Sequence, residues 1–310
     1  MSKSHPAVAR AEAFCASLGL RIPVLLAPMA GACPPSLSIA VAGAGGLGGC
    51  GAVAMQPAGI RAWASEFRAG CREGSFQLNL WIPESPPRRD AQVEAAMREC
   101  LARWGPPVAA DAGDYSRPDF TAQCEALLEA EPAVISSIMG LYPAAFVERM
   151  KTRGIRWFAT VTTVTEARVA AAAGCDAIVA QGMEAGGHRG AFDATRAERE
   201  LVGLASLVPA VVDAVKVPVI AAGGITDARA VAAALILGAS AVSVGTGFLR
   251  CPEARLPRAW ADAIGASLPE DTLITRAFSG RPGRSLATRF ARAAAAPGAR
   301  RRPPTRCRAA

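Results

Sequence analysis

Histidine is almost absent from this 310-residue chain, which has only His5 and His188. Any imidazole chemistry therefore falls on His188. Tyrosine is equally scarce, with two residues, and aromatics make up 5% of the chain. That leaves no stacking platform for single-stranded nucleic acid. No uninterrupted apolar run reaches the ~18 residues of a membrane-spanning helix. The opening thirty residues carry Lys3, Arg10, Glu12 and Arg21 and no apolar h-region. No secretory signal is expected, and a cytoplasmic location is the default. The nine cysteines are scattered, odd in number and without a CxxC pair. They read as reduced thiols in the core, not as a disulfide framework or a zinc site. No cluster of His, Cys and carboxylates suggests a catalytic metal. GxSxG is missing, and no Ser-His-Asp pattern stands out.

The formal charge of +8 is unevenly spread. From Arg284 to Ala310 there are eight Arg and no Asp or Glu, which leaves 26 basic and 26 acidic residues in 1–283. A nucleic-acid-binding domain carries its charge on a folded face, so no nucleic-acid partner is expected. The Ala-, Arg- and Pro-rich end divides the chain into one domain over 1–290 and a basic tail over 291–310 whose composition predicts disorder.

What is present is an alternation of short apolar runs with Ala-rich helical stretches. The expected strands are Leu25–Ala30, Gly46–Val53, Phe76–Ile82, Ala133–Gly140, Trp157–Thr163, Ala177–Glu184, Pro218–Gly224 and Ala241–Leu249. Each is short and apolar, as a parallel strand buried on both faces should be. Helical stretches fall at Gln56–Ala69, Arg89–Trp104, Thr121–Glu131, Pro143–Arg153, Thr165–Ala173 and Thr226–Leu237. Thr165 and Thr226-Asp227 are the expected caps of the last two, and Gly154, Gly174 and Gly238 end helices with positive φ. Eight strands with intervening helices is the count of a (β/α)8 TIM barrel. The alternative is a doubly wound dinucleotide-binding sheet. It needs GxGxxG after its first strand, where this chain reads Gly31-Ala32-Cys33-Pro34-Pro35. The glycine-dense stretch from Gly43 to Gly49 enters a strand and reads as a tight helix-to-strand connection.

In such a barrel the site lies at the C-terminal ends of the strands. The seventh runs into Gly223-Gly224-Ile225-Thr226 and the eighth into Ser243-Val244-Gly245-Thr246. Glycines that lead to a helix N-terminus allow backbone N–H groups to approach an anion, and the loops after these two strands form the usual phosphate cradle. The sixth ends in Gln181-Gly182-Met183-Glu184-Ala185-Gly186-Gly187-His188-Arg189-Gly190. A histidine among these glycines can take up a proton near neutral pH, and Arg189 beside it can hold an anionic group. Pro28 and Met29 at the first strand end suit packing against a flat ring. Asn79, inside the third strand, is a buried amide that must find a partner.

Together these stretches resemble the nitronate monooxygenases, formerly called 2-nitropropane dioxygenases, which are FMN-dependent (β/α)8 enzymes. The matching segments are Ala27–Gly31, Asn79–Trp81, Gln181–Gly190, Ala221–Ile225, Gly245-Thr246 and Thr275–Pro282, within roughly residues 15–290. The resemblance implies that Pro28, Met29, Asn79, Gln181, Gly186, Ser243 and Val244 lie against FMN. It implies that Gly223, Gly224, Gly245 and Thr246 hold the FMN phosphate. His188 would be the catalytic base, or would hold the nitronate anion. Small alkyl nitronates, propionate 3-nitronate among them, would react with O2 to give a carbonyl compound and nitrite. The same barrel could instead serve an NAD(P)H-dependent FMN reductase of quinones or enoyl thioesters, or a flavin-binding protein without turnover. Monomer and homodimer both remain open. Ser243 stands where many relatives carry a longer amide, and the Ala- and Arg-rich terminus has no Tyr or Lys.

Overall fold

The computed structural model describes residues 5–84, 89–114 and 117–296. Eleven strands are present: β1 (Val24–Leu26), β2 (Gly48–Gly51), β3 (Phe76–Trp81), β4 (Val134–Ile138), β5 (Arg156–Val161), β6 (Ala177–Gln181), β7 (Gly187–His188), β8 (Val219–Ala222), β9 (Ala241–Val244), β10 (Thr272–Thr275) and β11 (Gly283–Leu286). The helices are α1 (Pro6–Leu18), α2 (Pro35–Gly43), α3 (Pro57–Gly70), α4 (Ala91–Leu101), α5 (Phe120–Glu129), α6 (Ala144–Thr152), α7 (Val164–Ala172), α8 (Leu204–Ala214), α9 (Ala228–Ile236), α10 (Arg258–Ala266) and α11 (Arg289–Ala295).

Eight strands form one parallel sheet in the order β1-β9-β8-β6-β5-β4-β3-β2. Parallel bridges Leu25↔Leu47 and Ala30↔Gly51 join its two edges, which closes the (β/α)8 barrel expected from the alternation. Every expected barrel strand is found, and most are shorter at the C-terminal end than the apolar runs suggest. Residues such as Ala27–Met29 and Met183–Glu184 leave the sheet to make loops.

Alternate residues divide between two apolar layers. Outward side chains such as Leu78, Ile135, Trp157 and Ile178 pack beneath the helices in the main core. Inward ones at the strand starts, including Leu25, Val134, Phe158, Ala177 and Ile220, form a second cluster with Phe14 and Leu18 of α1. The Phe14 and Phe158 rings lie 6.2 Å apart. α1 is thus the plug of the barrel's N-terminal end. The sequence pattern does not signal this helix. It is made by Pro6 in its first turn, the His5 side chain accepting the Ala7 N–H, and Gly19 closing it at φ 68°.

Helix caps follow the sequence with one correction. Asp227 caps α9, but α7 is capped by Thr163, not Thr165. The Thr163 hydroxyl accepts the Glu166 N–H. Gly154, Gly174 and Gly238 have φ of 69°, 85° and 110°. The dense glycines after α2 make the expected tight connection: a Cβ on Gly46 would lie 2.5 Å from the Val24 carbonyl oxygen.

A small antiparallel sheet in the order β10-β11-β7 was not expected, because β7 is two residues long. It pairs Gly283 with His188 and Arg284 with Gly187. The domain boundary expected at 290 falls inside α11, whose Ala291 is fully buried. The remainder of the tail, 297–310, lies outside the described residues. Among the described residues no helix is long and apolar enough to cross a membrane, and no group of three or more His, Cys, Asp or Glu could hold a metal. The eight described cysteines are free thiols.

Candidate active site

The inward side chains of the barrel change character toward the strand ends. Below, they are apolar except for Gln77, whose Nε2 donates to the Leu26 carbonyl; above, they are Asn79 and Trp81 on β3, Ser136 on β4, Thr160 on β5, Gln181 on β6 and Ser243 on β9. Asn79, Ser136, Gln181 and Ser243 are buried. Buried amides need partners, and both have them. The Asn79 Nδ2 donates to Ser136 Oγ at 3.0 Å. Gln181 Nε2 donates to the His188 carbonyl at 3.0 Å, and its Oε1 accepts the Gly190 N–H at 2.8 Å. Gln181 therefore staples the 188–190 turn across the top of the barrel. Each end of the group thus bonds the chain and keeps one further N–H and one lone pair.

His188 stands on β7, held from above by β11. Its Nε2 lies 2.6 Å from Ser279 Oγ. Its ring meets Trp81 edge-on, with centroids 4.7 Å apart. Burial pushes its pKa down to about 4, and the nearby Arg281 guanidinium adds to the effect. The imidazole is thus neutral throughout the physiological range. This revises the expectation of a group titrating near pH 7, because the sequence gives no measure of burial. Arg189 is buried as well. Its side chain is 2% exposed and its Nη1 donates to the Gly182 carbonyl at 2.7 Å. It secures the end of β6, while its Nε and Nη2 have no hydrogen-bond partner among the described residues.

Three glycine loops converge beside this turn. Gly223 and Gly224 have φ of 126° and 65°, conformations that residues with a Cβ rarely adopt. A Cβ on Gly223 would lie 2.9 Å from the Ala185 backbone nitrogen. One on Gly186 would lie 2.6 Å from Thr246 Oγ1, and one on Gly245 would lie 3.3 Å from Met29 Sδ. The loops at 185–186, 223–224 and 245–246 and the Pro28-Met29 turn are therefore one assembly. The backbone N–H groups of Gly223, Gly224, Gly245 and Thr246 make no hydrogen bond among the described residues. Such a set of unpaired donors is suited to an anion. The N-terminus of α9 is not part of it, because the Asp227 carboxylate already accepts the Arg229 and Ala230 N–H groups.

Ser243 is buried on the inward face of β9. Val244 is not on that face: its side chain packs in the outer core, and its carbonyl accepts the Ala27 N–H at 2.9 Å. The Pro28-Met29 turn is pinned by Cys33, whose Sγ accepts the Met29 N–H at 3.3 Å and donates to the Ala27 carbonyl at 3.4 Å. Sequence reasoning did not single out Cys33, Trp81, Glu84, Ser279 or Arg281. For Trp81 the signal was available, since it lies two residues beyond Asn79 on the same strand face. Arg281 is 6% exposed and pairs with Glu84 at 2.8 Å, a contact 197 residues apart in sequence that no local pattern announces.

Comparison with known proteins agrees with this geometry. The sequence profile described as nitronate monooxygenase matches residues 12–305. The chain is 39% identical over 279 residues to a nitronate monooxygenase of Paraburkholderia phytofirmans, covering 88% of this chain and 75% of that protein. It is 37% identical over 292 residues to a nitronate monooxygenase of Pseudomonas aeruginosa, covering 93% and 83%. The solved structure of a nitroalkane oxidase from Streptomyces ansochromogenes superposes with a TM-score of 0.79 at 34% identity, over 90% of this chain and 80% of that one. This (β/α)8 chain is an oxidoreductase and belongs to the nitronate monooxygenase family.

Proposed function

We propose that the protein oxidises small alkyl nitronates with O2 to a carbonyl compound and nitrite, using FMN held at the C-terminal end of the barrel. The observation that carries this reading is the imidazole of His188, held against Trp81 and Ser279 beside three convergent glycine loops with unpaired N–H groups. The residues fit the cofactor. Gly223, Gly224, Gly245 and Thr246 supply N–H donors for its phosphate, and the close approaches at Gly186 and Gly223 leave no room for side chains there. Asn79, Gln181 and Ser243 come from barrel strands β3, β6 and β9, Pro28, Met29 and Gly186 from the loops beside them, and Val244 would contribute backbone alone. When bound, FMN supplies the electron-accepting chemistry that amino-acid side chains lack.

The chain's own residues do the rest. The unprotonated His188 accepts a proton where the substrate arrives as a neutral nitroalkane. A base with a pKa of about 4 is a weak one, so the site favours substrates already present as nitronate anions, toward which the ring presents an N–H. Trp81 and Ser279 fix the plane and direction of that ring. Gln181 fixes its backbone. The test is the absorbance spectrum of the purified protein together with activity of a His188→Asn variant. An oxidised-flavin spectrum retained in a variant that no longer turns over nitronate is expected. A colourless wild-type protein, or a variant with intact turnover, overturns the proposal.

A further inference from the structure

We propose that Arg281 and Glu84 are positioning residues for His188: Arg281 reinforces the neutral state that burial imposes on the imidazole and, through Ser279, fixes its tautomer, and Glu84 holds Arg281 in place to do so. The inference rests on the reading of His188 as the residue that meets the nitronate anion, toward which the ring offers its Nδ1–H.

Arg281 and Glu84 form a two-point ion pair. Nη2 donates to Oε1 and Nη1 faces Oε2, each at 2.8 Å. This fork geometry is the most directional that an arginine makes. The held guanidinium lies over Trp81, 5.9 Å from the ring centroid, and Trp81 meets His188 at 4.7 Å. Guanidinium, indole and imidazole thus follow one another in sequence of contact. A fixed positive charge at this position opposes a second one on the ring. Arg281 also acts through its backbone. Its N–H donates to Ser279 Oγ at 3.3 Å, and the same oxygen lies 2.6 Å from His188 Nε2. Ser279 is buried, and among the described residues its hydroxyl proton has no acceptor other than this ring nitrogen. The serine O–H therefore donates to Nε2, which places the ring proton on Nδ1.

The other charged groups around the turn bond other partners, and only Arg189 among those named keeps buried N–H groups, on Nε and Nη2, without a partner among the described residues. Arg189 bonds the Gly182 carbonyl. Arg284 bonds the Met183 carbonyl and Thr272 Oγ1. Glu184 accepts the Leu204 N–H. Arg281 is the charge that acts on the ring, and Glu84 is the carboxylate that anchors it.

The scarcity of histidine makes the test clean. The full-length protein labelled with 15N-histidine shows two imidazoles, and His5→Gln identifies the one at the α1 cap. Nitrogen shifts followed from pH 8 to 5 report charge and tautomer without any turnover. In the wild type, His188 is expected as the neutral Nδ1–H form down to pH 5. Arg281→Met is expected to raise its midpoint by about one pH unit or more, so that protonation enters this window. Arg281→Lys, which keeps the charge, is expected to stay near wild type. Glu84→Gln, which leaves Arg281 without its counter-charge, is expected not to raise it. Ser279→Ala is expected to erase the tautomer preference. The proposal is overturned if Arg281→Met leaves the ring neutral to pH 5, if Glu84→Gln raises the midpoint as Arg281→Met does, or if the wild-type ring is the Nε2–H form. Failure of nitronate turnover with these titrations intact counts against the functional reading alone.

Discussion

Substituting Gly223 by Ala tests the loop assembly that would hold the phosphate. At φ 126° an L-residue sits outside its allowed regions, at a cost of about 1–3 kcal/mol. The added Cβ also lies 2.9 Å from the Ala185 nitrogen. A backbone atom cannot rotate aside, so relief comes from moving the 185–186 turn away from 223–224. That opens the set of N–H donors. If the strain falls on cofactor binding, affinity drops about 5- to 150-fold, at roughly 1.4 kcal/mol per factor of ten. The assay is titration of flavin-stripped protein with FMN, read by fluorescence quenching. Gly154→Ala is the control. Its φ of 69° is also left-handed, but nothing lies within 4 Å of its Cβ, and it ends α6 far from the glycine loops. It should lose about 1 kcal/mol of stability and keep full FMN affinity. Wild-type affinity in Gly223→Ala, or equal losses in both variants, would refute the reasoning.

Other outcomes follow from the same structure. If turnover needs neutral His188, activity is level from pH 8 to 6 and falls only as pH approaches 4, which a pH–rate profile reads directly. Because the folded pKa of about 4 lies below the ordinary 6.5, the unfolded chain takes up this proton first on acidification. The contribution of His188 to stability is complete above pH 6.5 and is lost as pH falls toward 4; a His188→Gln variant should show a shallower decline in Tm across that window. Phe14→Ala removes the plug ring packed on Phe158 and should cost about 3–5 kcal/mol in denaturant unfolding. Gln181→Leu breaks both bonds to the 188–190 turn and leaves the Gly190 N–H unsatisfied. It should lower kcat more than it lowers FMN affinity.

The eight barrel strands were legible because each is a short apolar run bounded by turn residues, and burial on both faces demands that. Their ends were not, because a stretch such as Ala27–Met29 is as apolar as the strands yet leaves the ladder to build a loop. Thr163 rather than Thr165 caps α7 because the hydroxyl must reach an N–H three residues on, a choice that composition alone leaves open. The glycine loops and His188 were legible because their residue types carry the chemistry. The Glu84–Arg281 pair, the serine on Nε2 and the inaccessible Arg189 were not. Each depends on segments that meet only after the barrel closes and β11 folds over β7.

Nitronate-dependent oxygen uptake by the full-length protein is the most direct test of the central claim. With a small alkyl nitronate in an oxygen electrode, uptake should accompany carbonyl and nitrite formation and should vanish in His188→Asn. No uptake from a flavin-loaded protein that oxidises NADH with a quinone would contradict the account.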